Sequence, residues 1–457
     1  MSRVRAPPDS PFFVVPDSPF FVQNYNILYG IIRDMKKVNT SPISGMQELL
    51  PEAQATFNKI RDGIASVYRK HGFLNIETPI IDRCEILLAK AGGDTEKQIY
   101  KVVKTAEASE GADQALRFDH TVPLARYVVE HENDLKFPFK VSQIGRNFRG
   151  ERAQKGRFRE FYQCDVDVIG RGELPLYYDA DVLMTALDAL RSMELNTPII
   201  ARVSNRKIVT GMIEALNLQN QAADIYSIID HSEKVPAEKT VEALDELGIG
   251  EENRNKILAL MQLSGDVESV AQRLRGLGIS GEMFEDGVSE LYAVVGMLEK
   301  AGYSEMVRAD MRIVRGLDYY TGTVFEFCLP EYMGVGSIGG GGRYENLAEY
   351  FTDLKLPGVG ASIGLSRLFY VLAENNLVKS QVDKVVDVAV VPITDNELSY
   401  AVKVAGQLLS EGKVVTVVAS NKKLGDKLKY AAAIAKQGIV LGEAEAESGK
   451  YRIKEFN

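Results

Sequence analysis

Residues 158–168 read FREFYQCDVDV, rich in aromatic and β-branched residues and alternating over the last five, and they are read as a strand with two chemically different faces. Side chains point to opposite sides at every second residue, so Arg159, Phe161, Gln163, Asp165 and Asp167 share one face. Glu160, Tyr162, Cys164, Val166 and Val168 form the other, whose apolar end can pack on helices. The first face offers a flat ring, an amide and carboxylates, a surface suited to a polar ligand. A partner strand is predicted at 141–149. The loop between them carries Arg152 and Lys155, with Arg149 and Arg157 at its ends. Guanidinium groups bind phosphate in bidentate fashion, so these arginines beside an exposed ring point to a nucleotide triphosphate. A surface hairpin whose charges pair with one another is the alternative.

A chain of 457 residues exceeds what one core organises, so roughly two or three domains are expected. Its net charge of -9 argues against indiscriminate nucleic-acid binding and leaves room for a local basic surface. No apolar run reaches the roughly 18 to 20 residues of a membrane span, and the proline-interrupted start does not read as a secretory signal. Cys84, Cys164 and Cys328 lack metal-ligand spacing and suit reduced thiols in a cytoplasm.

Residues 1–39 carry PDSPFFV twice, at 8–14 and 16–22, and are read as an appendage: a flexible extension, or sequence upstream of a true start at Met35. From Pro51 a helix is predicted, with Ala53, Phe57, Ile60, Ile64 and Val67 on one face and Gly72 as its stop. Strands are predicted at 73–81, 311–328 and 335–343. Residues 205–308 read as an inserted helical domain within a catalytic domain of 40–380, and 378–387 as a linker. The last segment, 386–457, alternates β-α-β-α-β, with a capping box from Thr394 to Glu397.

Three further stretches accompany the opening strand. RGLDYYTGTVFEF (315–327) sets Arg315, Asp318 and two tyrosines before a strand. SIGGGGRYENL (337–347) has four consecutive glycines, which in a strand require a close approach to the backbone. GVGASIGLSRLFYVL (358–372) runs from a glycine-rich strand into a helix bearing Arg367. No P-loop or dinucleotide turn is present.

Taken in order, FRGER…GRFREFYQ, RGLDYYTGTVFEF, GGGGRYE and GVGASIGLSRL resemble the histidyl-tRNA synthetases over about 43–450. The resemblance implies a six-stranded antiparallel class II synthetase sheet with flanking helices, and a small C-terminal α/β anticodon-binding-like domain. It implies a homodimer joined through the segment around Pro79, and the substrates ATP, L-histidine and tRNA(His), with Mg²⁺. In the activity implied, histidine and ATP give histidyl adenylate and pyrophosphate, and histidine then passes to the 3' end of tRNA(His). By resemblance, Arg149, Arg315 and Arg367 are catalytic. Glu151, Arg157 and Phe161 join Arg149 and Arg367 in holding ATP. Asp119, Thr121, Gln163, Asp167, Tyr319, Tyr320 and Tyr344, with Arg149 and Arg315, hold histidine.

Asp119 stands where the family often has glutamate, and Ser366 where it often has an acid. His120, between two pocket residues, is read as structural. Lys422, Lys423, Lys427 and Lys429 form either a phosphate-contacting or a merely solvated helix face. The rival readings are a synthetase-like regulatory subunit that senses histidine and a plain RNA-binding module. The first generally lacks the C-terminal domain and the ATP-binding arginines; the second leaves the tyrosine and glycine segments unexplained.

Overall fold

The structure, a computed structural model, describes residues 38–89, 93–104, 113–154, 156–314, 319–345, 348–378 and 384–456. The chain divides into two compact units, Met1–Ile43 and Ser44–Asn457, and the strands of the described residues all lie in the second. Apart from residues 38 and 39, the expected N-terminal extension lies outside the described residues.

Nine strands build the main sheet: β1 (Leu74–Asn75), β2 (Phe139–Phe148), β3 (Glu160–Ile169), β4 (Ile200–Asn205), β5 (Ser264–Gly265), β6 (Val307–Asp310), β7 (Thr323–Cys328), β8 (Gly339–Tyr344) and β9 (Gly358–Ile363). They lie side by side as β1-β2-β3-β9-β8-β7-β4-β6-β5. From β2 to β4 the neighbours are antiparallel. β1 joins β2 in parallel, β6 joins β4 in parallel, and β5 joins β6 antiparallel. The expected six-stranded antiparallel sheet is thus corrected to nine strands of mixed direction. The added strands are two to four residues long, too short for an alternation to register in sequence. Likewise the predicted strand 73–81 is only Leu74–Asn75, with Ile81–Arg83 in a separate small sheet, and the strand expected from 311 begins at Thr323. In the first run the break is irregular backbone over residues 76–80, which contain Thr78 and Pro79.

The helix Pro51–Lys70 buries Phe57, Ile60, Ile64 and Tyr68, and it ends where Gly72 takes a φ of 82°. Tyr68 Oη donates to the carbonyl of Cys164 at 2.9 Å, fastening this helix to the apolar face of β3. Cys164, Val166 and Val168 have no exposed surface and belong to the main core. In the helix Tyr177–Arg191, Asp179 is unexposed and pairs with Arg343 Nη2 of β8 at 2.8 Å while accepting from Thr323 Oγ1 of β7 at 2.6 Å. A buried charge so fully partnered fixes helix and strands in one register. Between β4 and β6 the chain is helical, from Arg206–Ala215 to Glu282–Leu298, except for β5 and connecting turns.

The C-terminal segment forms a second sheet of β10 (Val386–Pro392), β11 (Val415–Val417), β12 (Ala435–Leu441) and β13 (Lys454–Glu455), ordered β11-β10-β12-β13. The first three are parallel. The capping box is formed, with Thr394 N–H donating to Glu397 Oε2 at 2.7 Å. Lys422, Lys423 and Lys429 are exposed. Lys427 is not part of that face: it is buried and its Nζ donates to the carbonyls of Pro392 and Ile393 at 3.1 and 3.3 Å. It closes the end of β10, a role its helical spacing does not distinguish from solvation. Among the described residues no helix is long and apolar enough to cross a membrane.

Candidate active site

The polar face of β3 opens on two joined cavities. A cleft of about 310 Å³ is lined by Arg149, Glu151, Arg157, Phe161 and Arg367. A recess of about 40 Å³ is lined by Asp119, Thr121, Asp165, Asp167, Tyr320 and Tyr344. Arg149, Gln163, Tyr320 and Ser362 line both, so the two form one continuous site.

In the cleft, the Arg149 guanidinium lies between two rings, 4.2 Å from the centroid of Phe118 and 5.1 Å from that of Phe161. Its Nε donates to the Phe118 carbonyl at 3.3 Å. Burial lowers its pKa and Asp119 and Glu151 oppose the shift, so this is a fixed cation with little water around it. Arg367 bridges the loop after β2 to the segment before β8, with Nε donating to Gly156 O at 3.3 Å and Nη1 to Ser337 O at 2.7 Å. Its pKa is lowered by burial and then by Arg157. Arg157 Nη1 stands 3.5 Å from Glu151 Oε2, and Arg146 Nε 2.9 Å from Glu160 Oε1. Part of the hairpin's charge therefore does pair internally, while Arg149 and Arg367 face the cleft.

In the recess, Tyr344 Oη donates to Asp167 Oδ1 at 2.9 Å. Burial and then the neighbouring Asp165 push the Asp167 carboxyl up to about 8, with the Tyr344 hydrogen bond opposing and Asp119 adding to the rise. Asp119 Oδ1 accepts the Val122 N–H at 3.0 Å, and burial raises its pKa against that bond and Arg149. Gln163 is oriented at both ends of its amide: Nε2 donates to Ser362 Oγ at 2.6 Å and Oε1 accepts from Asn147 Nδ2 at 2.7 Å. The glycine run meets its requirement within the fold. A Cβ on Gly342 would stand 2.9 Å from the Tyr320 ring, and one on Gly341 only 2.0 Å from Gly360 O. Tyr319 lies behind the recess, its ring centroid 5.9 Å from that of Tyr344, packed with Val122 and Ala125. Arg315 and Asp318 lie outside the described residues.

Sequence reading passed over Phe118, Asn147, Ser362 and Glu326, which brace or line the site. Phe118 adjoins Asp119 and Glu326 lies inside a motif, so adjacency was a usable signal for these two; only the fold brings Asn147 and Ser362 to Gln163. Ser366 has a definite place: its Oγ accepts the Tyr162 N–H at 2.8 Å.

The family model described as histidyl-tRNA synthetase matches residues 45–368. The chain belongs to the histidyl-tRNA synthetase family. A second family model, an anticodon binding domain, matches residues 387–457. A histidine--tRNA ligase of Clostridium acetobutylicum is 42% identical over 423 residues, covering 92% of this chain and 96% of that relative. The crystal structure of histidyl-tRNA synthetase from Nostoc sp. PCC 7120 aligns with a TM-score of 0.82 at 35% identity, over 92% of this chain and 95% of that one. A Bacillus halodurans structure titled ATP phosphoribosyltransferase regulatory subunit/histidyl-tRNA synthetase aligns with a TM-score of 0.74 at 21% identity, over 89% and 100% of the two chains. That last likeness concerns the fold alone. In this chain the cleft is lined by residues of β3 and by Arg367 of the helix Leu365–Glu374, and the segment after β4 is largely helical.

Proposed function

We infer that this chain is a histidine–tRNA ligase, an ATP-dependent enzyme that makes histidyl adenylate and pyrophosphate and then transfers histidine to the 3' end of tRNA(His). The observation that carries the reading is the junction of the two cavities at Arg149 and Gln163. There a carboxylate from the recess and an α-phosphate from the cleft would meet at one cation. Histidine sits in the recess with its ammonium on Asp119, Thr121 and Gln163 and its imidazole on Asp167, Tyr320 and Tyr344. Tyr319 supports that pocket from behind. ATP lies in the cleft with adenine on Phe161, its edge at Glu151, and its outer phosphates at Arg157 and Arg367. Arg315 completes the set at the α-phosphate by family resemblance.

The carboxylate oxygen attacks the α-phosphorus, the new O–P bond forms as the bond to the bridging oxygen breaks, and pyrophosphate leaves with that electron pair. No proton moves, because the attacking group is already an anion. Positioning and the fixed charge of Arg149 supply the stabilisation. For Mg²⁺ the cleft offers the carboxylates of Glu151 and Glu326, and among the described residues no group of three His, Cys, Asp or Glu side chains is placed to hold a metal. That donor set does not make a protein cage, and the ion would arrive on the nucleotide phosphates.

Residues 40–380 form the catalytic domain, 205–308 its helical insertion, and 386–457 the part that meets the tRNA anticodon arm, with exposed Lys422, Lys423 and Lys429 available to phosphates. The active form is a homodimer joined around Pro79, and its three cysteines, none of them in a disulfide, suit the cytoplasm. The test is ATP–pyrophosphate exchange across all twenty amino acids, with Arg149→Ala alongside. Exchange with histidine alone, lost in the variant, is expected; exchange with another amino acid, or none, overturns the reading.

A further inference from the structure

The recess contains a carboxylate that the substrate contacts leave unused. Asp165 lies two residues from Asp167 on the same face of β3, is 4% exposed, and lines the recess. Its Oδ2 stands 2.8 Å from Nδ1 of His120, and its Oδ1 has no hydrogen-bond partner. His120 is 1% exposed and sits between Asp119 and Thr121, both in the recess wall. An ionised carboxylate only accepts, so Nδ1 carries the hydrogen and donates.

The rest of the histidine is held by its surroundings. Its carbonyl accepts from Gln143 Nε2 at 3.3 Å, and Gln143 Oε1 accepts from Thr78 Oγ1 at 2.9 Å. Arg117 ties the same layer down, donating to Thr78 O at 2.8 Å and Arg146 O at 2.9 Å. Nε2 is buried without a partner and faces Gly145, where a Cβ would stand 3.4 Å from it and 2.6 Å from Arg117 Nη2. The ring is thus fixed in place with one hydrogen bond to offer, and Asp165 receives it.

We propose that His120 is a positioning residue, which holds Asp165 Oδ2 away from the bound amino acid so that Asp119 alone meets the ammonium and Asp167 alone meets the imidazole. The inference rests on the assignment of the recess to histidine. Without the donor, Asp165 becomes a buried anion with neither oxygen partnered, and burial makes such a group seek the nearest cation. Arg117 and Arg149 already couple electrostatically to Asp165, but each is held by other partners, Arg117 by the carbonyls of Thr78 and Arg146 and Arg149 by that of Phe118. The cation free to move in a loaded recess is the substrate ammonium, whose capture by Asp165 would pull the substrate out of register with Arg149 and Asp167. Gln143, Thr78 and Arg117 shape the scaffold and supply no second donor to Asp165.

The test measures KM for L-histidine and for ATP in the exchange reaction, together with calorimetric Kd for L-histidine. It uses the full-length protein and His120→Leu, His120→Asn, Asp165→Asn and the His120→Leu/Asp165→Asn pair. Leucine keeps the bulk and removes the donor. It should raise KM and Kd for histidine about tenfold, the scale of one buried charge-assisted hydrogen bond, with KM for ATP within about twofold. Asparagine places its amide N–H near the position of Nδ1 and should recover histidine binding to within about threefold. In the Asp165→Asn background the leucine change should cost no more than about twofold, because the anion it exposes is gone. The proposal is overturned if leucine leaves histidine binding unchanged, if the histidine and ATP constants rise together, if asparagine is as poor as leucine, or if the two changes add. Should the leucine variant fail to give a cooperative thermal transition, His120→Met, also bulky and without the donor, takes its place in the same cycle and is judged by the same outcomes. A wild-type protein that binds histidine without exchange overturns the ligase reading and leaves the Kd ratios to decide on His120. One that does not bind histidine ends both.

Discussion

Tyr344 Oη donates to Asp167 Oδ1 at 2.9 Å across an intervening strand, since β9 separates β8 from β3. The bond exists because β9 presents Gly360 opposite Asp167 and Gly358 opposite Tyr344. Any Cβ there would occupy the space that both side chains cross, standing 2.1 Å from Asp167 Oδ1 or 2.3 Å from the Tyr344 ring. The glycine-rich β9 is therefore a passage for a hydrogen bond between non-adjacent strands.

Tyr344→Phe removes the donor and keeps the ring. Asp167 loses the hydrogen bond that works against its raised pKa. KM for histidine should rise about tenfold while KM for ATP changes less than about twofold, consistent with one lost hydrogen bond to a charged group. Equal rises in both would show that the bond serves the whole sheet rather than the recess.

Gly360→Ala should abolish histidine-dependent exchange while leaving a folded protein, because a methyl at 2.1 Å from Asp167 Oδ1 forces the carboxylate aside. Gly296→Ala, in the helix Glu282–Leu298 with open space around the missing Cβ, should instead stabilise by about 0.5–1 kcal/mol in urea unfolding and leave exchange unchanged. If both variants behave alike, close approach is not what β9 glycines provide.

Reading residues 158–168 as a strand was sufficient to assign the two faces of β3, because a half-buried strand must separate polar from apolar side chains. It could not show that Gln163 is gripped by Asn147 across the hairpin and by Ser362 on a strand distant in sequence, nor that Lys427 turns inward. The run of glycines announced a close approach and left open what approaches; the answer, Tyr320 over Gly342 and Gly360 O beside Gly341, is tertiary. The edge strands β1 and β5, at two residues each, carry no pattern to read. Family resemblance supplied the expected roles of Asp119, Thr121 and Arg315, which periodicity could not.

The carboxyl of Asp167, raised to about 8, is protonated below that pH in the free protein and ionised above it. An ionised carboxylate is the form that accepts an imidazole N–H, and a free imidazole, with a pKa near ~6.5, is already neutral before this titration begins. KM for histidine should therefore fall as pH rises from 7 through 8 and then level, and Asp167→Asn should flatten the curve over that interval. A wild-type KM that does not change between pH 7 and 8.5 would show that histidine binding does not follow the ionisation of Asp167 over that interval.

Ser366→Ala tests how the helix Leu365–Glu374 is seated on β3. The ladder between β3 and β9 stops with Ile363 opposite Cys164, so the N–H of Tyr162, two residues further along β3, has passed beyond its neighbouring strand. Ser366 Oγ accepts that N–H at 2.8 Å and ends the ladder in place of another strand. Ser366 is 8% exposed, so its loss leaves a half-buried amide unsatisfied and should cost about 1–2 kcal/mol in urea unfolding. Because Arg367 is the next residue and holds both Gly156 O and Ser337 O, the displaced helix start should raise KM for ATP more than KM for histidine. Loss of stability with both constants unchanged would show that the hydroxyl closes the sheet edge and takes no part in placing Arg367.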